Sequence, residues 1–300
     1  MSRKKTSLFD ICNNTCMILI LIIVTYPLYY TVIASFSSGN AVARGEVVFW
    51  PVEFTTVAYK HVFANEEIWR GYANTFFYTA LGTLFNIFLT IPAAYVLSKK
   101  DLPFRGSIMT YFLITMYFGG GMVPTYLLVK NLGLINNRLV LIIVGGLSVY
   151  NLIVSRSFYA TSISESLYEA AEMDGASELK KMIAIAMPLS KPIIAVMALY
   201  YSVGHWNNYF NALLYITNKK MEPLQTVLRR ILILNENALD EALAAGLDQV
   251  DMLKDAAARS YLAFTMKYAV VFIASAPLLI AYPFVQKYFV KGVMIGAVKE

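Results

Sequence analysis

Residues 71–98 read GYANTFFYTALGTLFNIFLTIPAAYVLS, a stretch without one Asp, Glu, Lys or Arg. At about 1.5 Å per residue it exceeds the roughly 30 Å of hydrocarbon in a bilayer, so it reads as a membrane-spanning helix. Further uncharged runs occupy residues 11–36, 106–129, 139–155, 192–218 and 268–286. The run at 139–155 is short, but Arg156 can snorkel to the interface and let residues 157–160 complete the crossing. The expected architecture is all-α and integral to the membrane, with six transmembrane helices. The runs are continuous rather than alternating, which excludes a β-barrel. Composition agrees: 58% of residues are hydrophobic and 15% charged, against about 25% charged in soluble domains.

The net charge of +6 does not indicate nucleic acid, because no basic cluster is dense enough to track phosphates. Membrane topology accounts for the charge better. If the N-terminus is cytoplasmic, the tails and short loops on that side hold thirteen Lys and Arg against five on the other, leaving out residues 219–267, which are near the length at which loops translocate despite their charge. Both termini are then cytoplasmic, although Lys219, Lys220, Arg229 and Arg230 fall on the outer side. Residues 1–70 comprise the N-terminal cytoplasmic tail, the first span and an extracellular loop. Residues 71–300 form a five-helix core with a cytoplasmic loop at 161–191, an extracellular loop at 217–267 and a cytoplasmic tail at 287–300. The first apolar run is too long for a signal peptide and lacks a small-residue cleavage site, so an uncleaved helix is expected. Cys12 and Cys16 lie within it and read as small lipid-facing or packing residues.

The 161–191 loop, TSISESLYEAAEMDGASELKKMIAIAMPLSK, carries helix punctuation at both ends. Ser162 with Glu165, and Ser166 with Glu169, each fit a capping box, so a helix should start near 163–167. Asp174-Gly175 supplies a stop, and Ser177 can cap a second short helix reaching toward Met187, with Pro188 ending it and Pro192 opening the next. The product is a helix-turn-helix knob whose Ala170-Ala171 pair permits close approach by another surface. The residues also allow a plain interfacial elbow joining two spans.

Glu169, Ala170, Ala171, Asp174, Gly175, Ala176, Ile185 and Pro188, at this spacing, resemble the EAA loop of ABC importer permeases. Met187 and Met182 depart from the usual leucine and aromatic, both by apolar swaps of similar bulk. The resemblance extends over nearly the whole chain and is strongest to the carbohydrate-importer group that includes the inner-membrane subunits of maltose permeases. GGGMVPTYLLVKNLGL at 119–134 and KGVMIGAVK at 291–299 resemble its branch for complex oligosaccharides, including pectin-type galacturonides. The resemblance implies a type I ABC importer permease fold in the plasma membrane. It further implies a second homologous permease chain, two ABC ATPase subunits, an extracellular solute-binding protein and a carbohydrate substrate. The knob would dock in a cleft on one ATPase, with Glu169 pairing to a basic residue there.

The chain has no G-x-x-x-x-G-K-[ST] motif, so ATP and magnesium would be bound by the partner subunits and no cofactor by this chain. Only His61 and His205 occur, no H-E-x-x-H appears, and no carboxylate pair lies inside a span. A catalytic subunit, a metal site and a proton relay are therefore not expected. An ATP-independent secondary transporter is the alternative reading; it would need broken helices in two internal repeats and coupling-ion sites.

In the fifth span, Tyr201, Asn207, Asn208, Asn211 and Tyr215 fall on one stripe of a continuous helix. They can line a sugar path, with amides meeting hydroxyls and tyrosine rings covering apolar sugar faces, or bond to neighbouring helices. In the second span Asn74, Tyr78, Gly82 and Asn86 form a drifting ladder read as helix packing. Gly119, Gly120 and Gly121 either kink the third helix or allow close packing.

Overall fold

The computed structural model describes residues 8–231, 233, 261–262, 265–280, 283 and 286, so the tail at 287–300 and the acidic stretch of the 217–267 loop lie outside the described residues. Among those described, the regular structure is entirely helical. The chain forms two compact units, one of residues up to Ile68 with Leu228–Ala276, the other of Trp69–Val227 with residues from Pro277 onward.

In the first unit, α1 (Leu8–Ser35) exposes apolar side chains along most of its length and buries only Ile33, Ala34 and Ser35. Such an all-round apolar surface suits lipid, and Cys12 and Cys16 are exposed on it. Two short helices follow, α2 (Gly39–Ala43) and α3 (Val57–Ala64). Ile33, Ala34, Ala41, Val42 and Val47 make a small core with Tyr30 and Tyr268, whose rings meet edge-on at 5.6 Å. Arg230 closes this unit with an ion pair to Glu67 at 3.0 Å.

The second unit is built on α4 (Glu66–Ser98), which contains the whole 71–98 run. Three other expected spans are broken. Residues 106–129 divide into α5 (Arg105–Tyr117) and α6 (Met122–Asn131), bent by 109°. Gly121 has φ 87°, and a Cβ on Gly119 or Gly121 would meet nothing within 4 Å. The glycines therefore break the helix rather than pack it closely. Residues 139–155 divide into α7 (Val140–Ile143) and α8 (Val149–Ser162) across Gly145 and Gly146, the former at φ 79°. The carbonyls freed there accept from Asn86 Nδ2, at 3.3 and 2.6 Å, as exposed backbone at membrane depth requires. Ser148 caps α8 through the Asn151 amide. Arg156 is half-buried, its Nε donating to the Leu97 carbonyl at 3.0 Å.

The last stretch contains α9 (Glu165–Met173), α10 (Glu178–Leu189), α11 (Lys191–Trp206) and α12 (Tyr209–Tyr215). The amide pair Asn207-Asn208 interrupts the expected fifth span between α11 and α12. The described helices long and apolar enough to span are α1 and α4, and up to four spans result if the bent pairs α5–α6 and α10–α11 each count as one. The apolar segment Thr265–Ile280, α13, is shorter. Uncharged length marks where a chain crosses hydrocarbon; it does not show where glycine and asparagine interrupt the helix.

Side chains at the two ends of α4 fill separate cores. Ile91, Ala94, Tyr95 and Leu97 pack with Leu152, Tyr159, Met197 and Tyr201 at one end. At the other, Tyr78 packs with Val140, Leu141, Ala212 and Tyr215.

Candidate functional site

The 161–191 loop folds as the helix-turn-helix expected, by partly different capping. Helix α9 begins after Ser164, but neither capping box forms: Ser162 ends α8, and Ser166 Oγ lies 2.7 Å from Ser164 Oγ. Glu165 instead bridges to Lys100 at 2.7 Å. At the other end Gly175 takes φ 74°, donating to the Glu172 carbonyl while Ala176 donates to Ala171. This pair of bonds closes the helix as a Schellman motif, which needs glycine at the left-handed position. Ser177 caps α10, its Oγ accepting from the Lys180 amide. Pro188 does not end α10. The helix widens into a π turn over Met182–Ala186, where the Met187 amide reaches back to Met182, and continues through Leu189. Proline has no N–H to give, so a looser turn before it absorbs the missing bond.

At 100° per residue, Ser166, Glu169, Ala170 and Met173 share the outward face of α9, and all four are exposed. Ala171 points inward and is buried, so of the alanine pair only Ala170 lies on the accessible side. Asp174, Gly175 and Pro188 are exposed, and Ala176 and Ile185 half-buried. Met173, 89% exposed, and Leu179 and Ile183 complete an apolar rim that the sequence reading missed. Its signal was present: large apolar residues in a loop otherwise punctuated for solvent.

The sequence reading also missed what holds the knob. Lys99, one residue past α4, lies 3.3 Å over the Tyr168 ring and 4.8 Å from that of Tyr95. Tyr95 stands edge-on to both Tyr159 and Tyr168. Lys181, 4% exposed, bonds to Glu172 at 2.9 Å and Glu178 at 2.7 Å, tying α9 to α10. Hydrogen bonding from Lys181 holds the Glu178 carboxyl below its usual range. Burial pushes the Lys99 ammonium down and the Tyr168 phenol up to about 12. These groups join α4 to the knob.

The five residues of the expected sugar stripe do not share one open face. Tyr201 is buried, its hydroxyl 2.6 Å from Thr90 Oγ1 and accepting from the Ser148 amide. Tyr215 is buried and stacked on Tyr126 at 6.1 Å. Asn207, Asn208 and Asn211 lie at or just beyond the break; Asn207 is exposed and bonds back to the Val203 carbonyl. The stripe assumed a continuous helix, and the break divides it into packed tyrosines and amides at an interruption.

The ladder on α4 does pack. Asn74 donates to the Lys220 and Glu222 carbonyls, both at 2.9 Å, and Tyr78 to Met221 at 2.8 Å. Asn86 lies 2.6 Å from His205 Nε2, and the imidazole rests on Gly82.

The fold is thus a set of long apolar helices carrying a helical knob with an exposed outer face. The chain belongs to the family described as binding-protein-dependent transport system inner membrane component, which residues 68–295 match. It is a non-catalytic permease subunit of an ABC importer. Protein LplC of Bacillus subtilis is 37% identical over 99% of this chain and 96% of its own length. The polygalacturonan/rhamnogalacturonan transport system permease protein YtcP of the same species is 34% identical over 98% and 99%. A chain in the crystal structure of a bacterial ABC transporter involved in the import of the acidic polysaccharide alginate superposes with a TM-score of 0.81, at 32% identity, covering 96% of this chain and 99% of that one. The resemblance read from the 161–191 loop and the 119–134 segment is thus borne out.

Proposed function

We propose that this permease subunit moves an acidic oligosaccharide inward across the plasma membrane. It works with a second homologous permease chain, two ATPases that bind ATP and magnesium, and an extracellular solute-binding protein. The chain crosses the membrane six times with both termini cytoplasmic, the broken segments included as crossings. ATP-driven closure of the ATPases moves the docked knobs, and the paired permeases rock between inward- and outward-facing states. Each partner must favour one of these states for the coupling to work.

The observation that carries the coupling role is the outward face of α9, with Glu169, Ala170 and Met173 exposed on a helix jointed to α4 through Lys99 and Tyr168. A force on that face reaches a span directly. For an acidic cargo the support is the named relatives together with Lys130, Arg138, Lys219 and Lys220, which make no salt bridge among the described residues and would fall on the outer side in this orientation. Unpaired cations at an entrance concentrate polyanions.

The test is a mild-detergent pull-down of the tagged chain, followed by ATPase assay with binding protein and either galacturonide or neutral oligosaccharides. ATPase subunits should co-purify, with hydrolysis rising on the acidic sugar. Glu169→Lys should leave insertion and assembly intact but abolish the stimulation. Isolation without ATPases, or stimulation unchanged by Glu169→Lys in an assembled complex, would sink the coupling role; stimulation by neutral sugars alone would sink the acidic cargo.

A further inference from the structure

Helices α5 and α8 flank an open groove of about 510 Å³ lined by Arg105, Gly106, Met109, Leu113, Ile153 and Arg156. Its chemistry is divided along its length. Arg105, Met109 and Leu113 are spaced by four and share one face of α5, while Ile153 and Arg156 are spaced by three on α8. Both cations therefore stand at one end, and the apolar wall runs away from them for about 12 Å along α5. That apolar wall lies inside the uncharged 106–129 run, with Arg105 immediately before it at headgroup depth.

Neither arginine has a carboxylate partner among the described residues. Both line the same groove. Arg156 is held in place by its Nε bond to the Leu97 carbonyl, which leaves its other guanidinium hydrogens for a ligand. Two cations beside an apolar groove call for a ligand with an anionic head and a hydrocarbon chain. Inorganic phosphate would meet the charge but leave the wall of Met109, Leu113 and Ile153 uncovered.

We propose that this groove binds an anionic phospholipid, its phosphate between Arg105 and Arg156 and an acyl chain along Met109 and Leu113. The groove lies at the end of α4 that carries the knob, since Leu97 and Lys99 belong to the same turn. That the lipid comes from the inner leaflet rests on the orientation proposed above; its binding does not.

The purified complex, stripped of lipid in mild detergent, would be titrated with phosphatidylglycerol, with phosphatidylcholine of the same chains, and with glycerol 3-phosphate, reading bound mass by native mass spectrometry. Phosphatidylglycerol should bind the permease chain tightly and phosphatidylcholine weakly. Arg105→Gln, at a half-exposed helix start that tolerates substitution, should weaken phosphatidylglycerol by about fivefold and leave phosphatidylcholine unchanged, while Arg105→Lys retains most of the affinity. Equal retention of both lipids, or no effect of Arg105→Gln, would overturn the site. Displacement by equimolar glycerol 3-phosphate would reduce it to a free-anion site. Binding only after a partner chain is removed would give the arginines to a protein carboxylate. Bound mass is read on this chain whether or not ATPases accompany it, so failure here is separate from failure of the transport reading.

Discussion

Lys99 Nζ sits 3.3 Å above the ring of Tyr168, joining the end of the longest described helix to the first helix of the knob. The ammonium is also 4.8 Å from the Tyr95 ring, so it lies between aromatic faces contributed by both elements. A cation over a ring contributes about 0.5–1 kcal/mol where, as for Lys99, it is only partly buried.

Substituting Tyr168 separates the ring from its hydroxyl. The hydroxyl is buried without a hydrogen-bond partner, so Tyr168→Phe should match or slightly exceed the native protein in stability. Tyr168→Leu keeps apolar bulk but removes the π face, and amide exchange over 165–189 should quicken about fivefold or more. Equal exchange in the two variants would mean that the ring acts only by volume.

The turn at Gly175 depends on φ 74° with no neighbour within 4 Å of a Cβ, so conformation rather than space requires glycine. Gly175→Ala should loosen the α9–α10 turn by about 1–2 kcal/mol, and Gly175→Asn by less. Limited proteolysis near 175 should rank the variants glycine, asparagine, alanine from slowest to fastest cleavage. A different order would locate the constraint in a partner surface.

How much of this was legible follows from which interactions are local. The stop and restart of the knob were readable because Asp174-Gly175 and Ser177 act within a few residues of themselves, whereas the capping boxes read at Ser162 and Ser166 did not form. The membrane class was readable because hydrocarbon excludes charge over any 20-residue crossing. The breaks at 118–121, 144–148 and 207–208 were not, because hydrophobicity is blind to a freed carbonyl until its distant donor is known. Asn86 supplies that donor to Gly145 and Gly146 from about 60 residues away in sequence. The Lys99–Tyr168 contact is hidden for the same reason, and Tyr201 looked available because its partner, Thr90, lies on another helix.

Gly82 exists for His205. A Cβ there would stand 2.3 to 2.7 Å from three atoms of the imidazole, whose Nε2 is held 2.6 Å from Asn86 Oδ1. The ring cannot retreat without releasing the amide that satisfies the α7–α8 break. Gly82→Ala should destabilise the purified complex by about 1–3 kcal/mol in thermal unfolding, and less in a His205→Ala background. Additive losses in the double variant would show that the two sites are independent.

The ion pairs inside the knob predict its pH range. Hydrogen bonding from Lys181 keeps the Glu178 carboxyl below its ordinary 4.5, while bonds to Glu178 and Glu172 raise the Lys181 ammonium above its ordinary 10.5. A depressed carboxyl contributes stability above its unfolded value and loses it as pH falls through the folded value. A raised ammonium contributes stability below its unfolded value and loses it as pH rises through the folded value. The contribution of these ion pairs to exchange protection over 165–189, corrected for intrinsic rates, should therefore be lost only as pH falls below about 4.5 or rises above about 10.5. Lys181→Met should weaken the acid-side transition, because Glu178 then keeps only the charge of Lys99 and the Tyr95 hydroxyl to hold its carboxylate. A midpoint near neutrality would instead mark an imidazole, and the only candidates in the chain are His61 and His205, neither of them in the knob.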